Sequence, residues 1–319
     1  MTDLFHEIPD NPVPEHANGG YLTATDGKRL RYACFAASSR PIRGTVLLLT
    51  GRNECIEKYF ETIRNLTERG FGVAVFDWRG QGGSDRLLRN VERGYVKSFP
   101  DYTRDLDQFF GEIVLPDCRG PYYVLAHSSG ALIALLAARS MVNRVRRMVL
   151  IAPFLALPGQ PVSMKTVGRV ARLLCWLGLG RLYVTGGPRA RQKVTFETNK
   201  VTSDAARYRR NRLIYETFPQ LALGGPTLRW LRGACEAAIA VCEPNFMAAN
   251  NIPTLVVAAG ADQVVSTKAI EDYARHLRLG GLVTIDGARH EILQEADLYR
   301  EQFLAAFDAF IPGSDAETP

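Results

Sequence analysis

Residues 122–138 read YYVLAHSSGALIALLAA, and their reading decides the fold. The opening YYVLA is a continuous apolar run of strand length, as expected for a strand covered on both faces. ALIALLAA, 131–138, is an apolar run of helix formers. Only His127-Ser128-Ser129-Gly130 separates them, so the chain must pass from strand to helix through a sharp turn. A serine there has its hydroxyl lifted above the sheet edge, and small residues two before and two after it relieve the crowding. The pattern is GxSxG with Ala126 in place of the first glycine, the smallest departure possible.

Outward from this turn, strands and helices alternate. A hairpin over 21–25 and 29–36 turns at Asp26-Gly27. GTVLLLT (44–50) reads as a buried strand, and a helical pattern through Tyr59, Ile63 and Leu66 stops at Gly70. FGVAVFDW (71–78) is the next strand, 102–114 an amphipathic helix, and 147–152 a strand again. After Pro153 the alternation lapses for about 100 residues. It resumes with a strand at 254–259, a helix at 267–277, a strand at 282–285 and a last helix to Phe310. Such alternation means a mostly parallel central sheet with helices on both faces. The chain divides into an α/β core, 1–152 and 252–319, and a helical cap inserted at 153–251. The acidic tail after Pro312 is expected to be disordered.

At 319 residues the chain can bury a core without disulfides or a metal. Its 46% hydrophobic and 23% charged content excludes disordered, collagen-like and coiled-coil classes. No apolar run reaches the roughly 18 residues of a membrane span. The start, MTDLFHEIPDNPVPEH, is acidic and Pro-rich rather than basic then apolar, so the expectation is a soluble, cytoplasmic protein. Cys34, Cys55, Cys118, Cys175, Cys235 and Cys242 never form a CxxC pair and are expected to be free, mostly buried thiols. No metal-ligand spacing joins Cys and His, so neither a metal nor a cofactor is expected. The net charge of +6 is uneven: Pro153 to Asn251 holds 14 basic and 5 acidic residues, the rest 25 and 28. That excess suits contact with an anionic surface, or equally a solvated Arg-rich helix face. It is scattered and lacks aromatic stacking platforms, which argues against nucleic acid as a partner.

A serine hydroxyl needs a base to take its proton. His6 and His16 lie in the irregular N-terminus, His127 within the turn and His276 in an exposed helical pattern. His290 follows a strand and opens the last helix, at the edge where a parallel sheet gathers its functional groups. A neutral histidine needs an acid to hold its tautomer, and Asp262 follows strand 254–259 after a Gly260 turn. Read alone, Asp262 is an ordinary turn residue; the order Ser128, Asp262, His290 makes it the third member of a triad. Glu291 reads as a first-turn charge on the helix. Two backbone N–H groups must hold the oxyanion: that of Ser129, and that of Arg52, where Gly51 lets the backbone come close.

These residues, with GRNECIEKY (51–59), DWRGQGGSDR (77–86) and GARHEIL (287–293), resemble the α/β-hydrolase superfamily. Within it the chain is similar to the bacterial lysophospholipase and monoacylglycerol lipase branch. Asp77 to Ser84 matches that branch's structural DxRGxGxS turn, whereas Thr50-Gly51 departs from the His-Gly of many members. The likeness covers about residues 20–310, including NKVTSDAARYRRNRLIYETFPQLALGGPTLRWL (199–231) in the cap. It implies the α/β-hydrolase fold and a serine esterase that cleaves a lysophospholipid or monoacylglycerol without a cofactor. It also implies peripheral contact with the inner membrane. Epoxide and haloalkane hydrolases are set aside because they carry Asp where Ser128 stands. A carboxylesterase or carbon–carbon hydrolase of small substrates, and a receptor-like ligand binder, are the rivals.

Gly51, His127, Trp176 and Arg209 are the expected substrate-binding residues. VARLLCWLGL (170–179) carries Trp176 between Arg169, Arg172 and Arg181. Such a stretch suits a membrane interface, or else the cap's own apolar face against the core. Gly178 and Gly180 shorten an interfacial helix and favour packing. Arg207, Arg209, Arg210 and Arg212 offer paired donors to a lipid phosphate, or else form the wet side of a helix with Tyr208 and Leu213 inward.

Overall fold

The hairpin forms as β1 (Ala17–Thr23) and β2 (Arg29–Phe35), antiparallel, in a computed structural model that describes residues 4–159, 163–188 and 194–311. β1 starts earlier than its apolar residues suggest because Ala17 pairs with Phe35. β3 (Gly44–Leu49), β4 (Phe71–Phe76), β5 (Tyr122–His127), β6 (Val145–Ile151), β7 (Thr254–Ala259) and β8 (Gly280–Ile285) complete one sheet. Its order is β1-β2-β4-β3-β5-β6-β7-β8; β2 joins β4 antiparallel and every later pairing is parallel. Every residue of β3 and β7 is buried, so the sheet centre is covered on both faces.

The covering helices are α1 (Phe60–Glu68), α2 (Phe99–Phe109), the short α3 (Leu115–Asp117), α4 (Ser129–Met141), and, after β7, α9 (Thr267–Arg275) and α10 (Asp297–Phe310). α2 begins ahead of its amphipathic pattern because Ser98 and Asp101 cap each other, the Ser98 N–H donating to the Asp101 carboxylate at 3.1 Å. α10 begins at Asp297, so His290 and Glu291 lie on a loop and not on the helix. This corrects the reading of Glu291 as a first-turn charge.

Between β6 and β7 lie α5 (Met164–Trp176), α6 (Ala205–Thr217), α7 (Leu228–Val241) and the short α8 (Pro244–Ala248). α7 joins the main core through Trp230, Ala234, Ala238 and Val241, and α5 lies against α7. α5 buries only Gly168 and Ala171; Val170, Leu173 and Leu177 are exposed and Trp176 is 81% exposed. The apolar stretch 170–179 therefore does not pack onto the core as expected. Its apolar side faces outward because α5 meets α7 along its small residues. Cys55 and Cys235 are buried, Cys34, Cys118 and Cys175 half-buried and Cys242 exposed, all as free thiols. Among the described residues no helix is long and apolar enough to cross a membrane. The tail after Pro312 lies outside them.

Candidate active site

β5 ends at His127 and α4 starts at Ser129, leaving Ser128 at φ 53°, ψ −116°, a conformation L-residues rarely adopt. Hydrogen bonds hold it there: its N–H donates to the Ile151 carbonyl at 2.9 Å, and its carbonyl accepts from Leu132 and Phe154, both at 3.1 Å. A side chain at Gly130 would collide with the carbonyls of Leu49 and Thr50, so glycine is what lets α4 start against the end of β3.

The structure brings Ser128, His290 and Asp262 together. His290 Nδ1 lies 2.7 Å from Asp262 Oδ2, and a carboxylate only accepts, so this nitrogen carries the proton. Nε2 then presents its lone pair to Ser128 Oγ, 3.0 Å away. Asp262 Oδ1 accepts from the N–H groups of Val264 at 2.7 Å and Val265 at 2.9 Å. Burial pushes the Asp262 carboxyl upward, but the His290 hydrogen bond and these N–H groups outweigh it, holding it below the usual range. Asp262 is thus an anion fixed on both oxygens.

A second polar cluster adjoins the first. Glu54 Oε1 accepts from Lys58 Nζ at 2.9 Å, and Lys58 Nζ also reaches Glu291 Oε1 at 2.7 Å. Glu54 Oε2 accepts from Tyr59 Oη at 2.6 Å and from the Gly51 N–H, and faces His127 Nδ1 at 3.2 Å. His127 Nε2 faces the His290 carbonyl, also at 3.2 Å. Both ring nitrogens meet acceptors, which fits the doubly protonated ring. Burial pulls His127 down, but the Glu54 charge and hydrogen bond raise its pKa above the ordinary value. Glu54, likewise opposed by burial, is held well below its ordinary value by Lys58 and His127. Sequence reasoning missed Glu54 and Lys58 in this role. Their signal was a Glu and a Lys four apart within GRNECIEKY, beside the loop already chosen.

The 51–54 loop is fixed from outside. Gln81 Nε2 donates to the Gly51 carbonyl at 2.8 Å, and the Asn53 N–H donates to Gln81 Oε1 at 3.2 Å. Gln81 is carried by the DWRGQGGS turn, whose Asp77 accepts from Arg31 Nε at 2.8 Å, Gly83 N–H at 2.7 Å and Ile56 N–H at 3.0 Å. Gly82, at φ 54°, sits so close to Asp77 that a Cβ would strike the carboxylate. Among the described residues neither the Arg52 nor the Ser129 N–H donates to a protein acceptor, which leaves both free for an oxyanion.

These groups open onto a cavity of about 500 Å³. Ser128, Ser129, His290, Arg52, Glu54, Lys58, His127 and Glu291 line it beside Phe154, Leu157, Val184, Val201, Tyr208, Tyr215, Trp230, Leu231 and Val264. Of the four expected substrate-binding residues only His127 is among them. Gly51 is buried within the loop, where its N–H donates to Glu54. Trp176 faces outward on α5, and Arg209 is exposed, its Nε donating to the Ala205 carbonyl at 3.2 Å. Neither lines the cavity. The rest of the arginine cluster is spoken for by acids: Arg207 and Arg210 by Glu61 at 2.6 and 2.5 Å, Arg212 by Glu216 at 2.8 Å. Burial opposes ionisation of Glu61, yet these arginines and Arg300 hold it down to about 2. Tyr208 turns inward as expected; Leu213 is exposed.

A strained serine between strand and helix, a histidine bonded to it and an acid behind the histidine define a serine hydrolase of the α/β-hydrolase class. Residues 40–297 match the family described as Serine aminopeptidase, S33, and the chain belongs to that family. It is 31% identical to lysophospholipase L2 of Escherichia coli K12 over 91% of this chain and 86% of that one. It is 28% identical to the probable lysophospholipase L2 of Haemophilus influenzae over 91% of each. Its fold is similar to that of a soluble variant of monoglyceride lipase from Saccharomyces cerevisiae solved with a substrate analog. There the TM-score is 0.74 and the identity 21%, over 92% of this chain and 95% of that one.

Proposed function

We propose that the chain hydrolyses the carboxylic ester of a single-chain lipid through an acyl-enzyme on Ser128. The observation that carries this reading is Ser128 Oγ, 3.0 Å from a histidine nitrogen, inside a cavity whose lining is otherwise mainly apolar. Ser128 Oγ attacks the acyl carbonyl as His290 Nε2 takes its proton, and Asp262 stabilises the imidazolium. The N–H groups of Arg52 and Ser129 hold the oxyanion, each such donor contributing about 10²- to 10³-fold to the rate. His290 then protonates the leaving alcohol, and water activated by His290 releases the fatty acid. Likeness to the two lysophospholipases favours a lysophospholipid. Likeness to a monoglyceride lipase of Rattus norvegicus over 51% of this chain keeps monoacylglycerol in view. On this reading 153–251 acts as a cap that shapes access to Ser128.

Labelling with a fluorophosphonate tests the nucleophile: the wild type is expected to label and Ser128→Ala not, and an unlabelled wild type overturns the assignment. Palmitate release from 1-palmitoyl lysophosphatidylcholine or 1-palmitoylglycerol tests the substrate class. Cleavage of p-nitrophenyl butyrate alone gives the site to a small-ester carboxylesterase.

We also infer that α5 rests on a phospholipid surface. Its exposed Val170, Leu173, Trp176 and Leu177 are flanked by the exposed Arg169 and Arg181, an apolar stripe with cations beside it. Val184, exposed a few residues beyond, also lines the cavity.

A further inference from the structure

Among the described residues the charges that line the cavity are matched, with one exception. Lys58 sits between Glu54 and Glu291, His127 faces Glu54, and Arg212 pairs with Glu216. Arg52 forms no ion pair among the described residues. Its guanidinium donates from Nη1 to the Gly224 carbonyl at 3.1 Å and lies over the Trp230 ring, 5.7 Å from its centroid. Among the described residues the remaining donors have no protein acceptor, yet none is sealed off as a buried orphan, and Arg52 lines the cavity. Burial pulls the guanidinium down, to about 10, with the Tyr102 phenol acting against it, so it is still a cation at neutral pH.

An enclosed cation without a counter-charge is costly, and an anion that enters the cavity removes that cost. The planar guanidinium offers parallel N–H donors matched to two oxygens of a phosphate. A glycerol backbone separates the ester from the phosphate in a single-chain phospholipid, and Ser128 and Arg52 line the same cavity. We propose that the Arg52 side chain is the phosphate-binding group of the site: it takes the headgroup phosphate of a lysophospholipid and sets preference for such esters over neutral glycerides. The proposal rests on the lipid-ester reading above. It moves the phosphate from the Arg207–Arg212 cluster, whose cations are occupied or turned outward, to the residue whose own N–H faces the oxyanion. Headgroup binding and carbonyl polarisation are then set by one residue, the first through its side chain and the second through its backbone.

The test compares the wild type with Arg52→Gln and Arg52→Lys, both of which keep the backbone N–H. The substrates are 1-palmitoyl lysophosphatidylglycerol and 1-palmitoylglycerol in the same detergent micelles. Arg52→Gln is expected to lower kcat/KM for the phosphate ester at least tenfold more than for the neutral one, chiefly through KM, with Arg52→Lys in between. Equal losses on both substrates overturn the proposal. If Arg52→Gln does not fold, the wild type decides. Glycerol 3-phosphate must inhibit at least tenfold better than glycerol, and equal inhibition overturns the proposal. Inhibition by inorganic phosphate without any preference between the two lipids would assign Arg52 to free phosphate and also overturn it. A wild type that cleaves neither lipid fails differently, because there the lipid reading falls first and takes the Arg52 proposal with it.

Discussion

The loops at the ends of β3, β5, β7 and β8 meet the cavity mainly with polar side chains, and their acids Asp262 and Glu54 are held by several hydrogen bonds each. The segment between β6 and β7 meets it mainly with apolar surface from Val184, Val201, Trp230 and Leu231. Asp262 has three partners on two oxygens, and Glu54 has four. The two sides carry different tasks. Proton transfer demands placement within a few tenths of an ångström, and dense hydrogen bonding provides it. An acyl chain asks only for apolar volume, which many side chains fill equally well. On the reading proposed above, chemistry is set on the sheet side and the acyl chain is taken by the inserted side, and Arg52 is one of the residues at which the two meet, through Gly224 and Trp230.

The most severe way to probe the sheet side is Asp262→Asn. The amide keeps the shape but lets His290 take the wrong tautomer, so kcat should fall about 10⁴-fold with the fold intact. Steady-state kinetics beside a thermal unfolding curve checks this; a loss under tenfold would mean that another group orients His290.

Stability should divide along the same line. Lys58→Met leaves the buried Glu54 and the partly buried Glu291 without their shared cation and should cost about 3–5 kcal/mol in urea unfolding. Arg212→Met removes an ion pair whose side chains are about half exposed, and should cost under about 0.5 kcal/mol. Similar losses would mean that the cluster is no better integrated than the surface.

A smaller effect comes from pH. Glu54 is depressed from 4.5, so its contribution is present above that value and lost as pH falls through the folded pKa. His127 is raised from 6.5, so its contribution is full below that value and lost as pH rises through the folded pKa. Glu54→Gln removes both. The wild type's Tm advantage over it should peak between pH 4.5 and 6.5 and shrink on either side. An advantage that keeps growing to pH 9 would remove His127 from the pair.

The triad was legible because each member lies in the loop just after a strand, and strands announce themselves by apolar runs that need no knowledge of the rest of the fold. Ser128 could be placed by that, and His290 and Asp262 once the other histidines were set aside and the order Ser128, Asp262, His290 was recognised. Charge pairing is not local in this sense. Arg207 meets Glu61 across 146 residues, and Lys58 meets Glu291 only because the loops after β3 and β8 converge. The arginine cluster therefore looked free in the sequence when its acid lay on α1. The apolar stripe of α5 was legible as a stripe; what covers it depends on the shape of α7, which no local pattern encodes.

That stripe gives the mildest prediction and the one that bears on the inserted side. Trp176 is 81% exposed and touches neither core nor cavity, so Trp176→Ser should leave stability and turnover of a monomeric soluble ester within about twofold. On vesicles the expectation differs. Inserting one large aromatic side chain into an interface contributes about 1–2 kcal/mol, so partitioning onto phosphatidylglycerol vesicles should weaken about five- to thirtyfold. Cleavage of vesicle-borne substrate should fall in step, while cleavage of substrate below its micellar concentration should not. Added salt should weaken the wild type further through Arg169 and Arg181, because exposed charges act over a Debye length of about 10 Å at 0.1 M and less above it. Unchanged sedimentation with vesicles would leave the stripe as surface with no lipid partner, and the inserted side would then choose its substrate through the cavity alone.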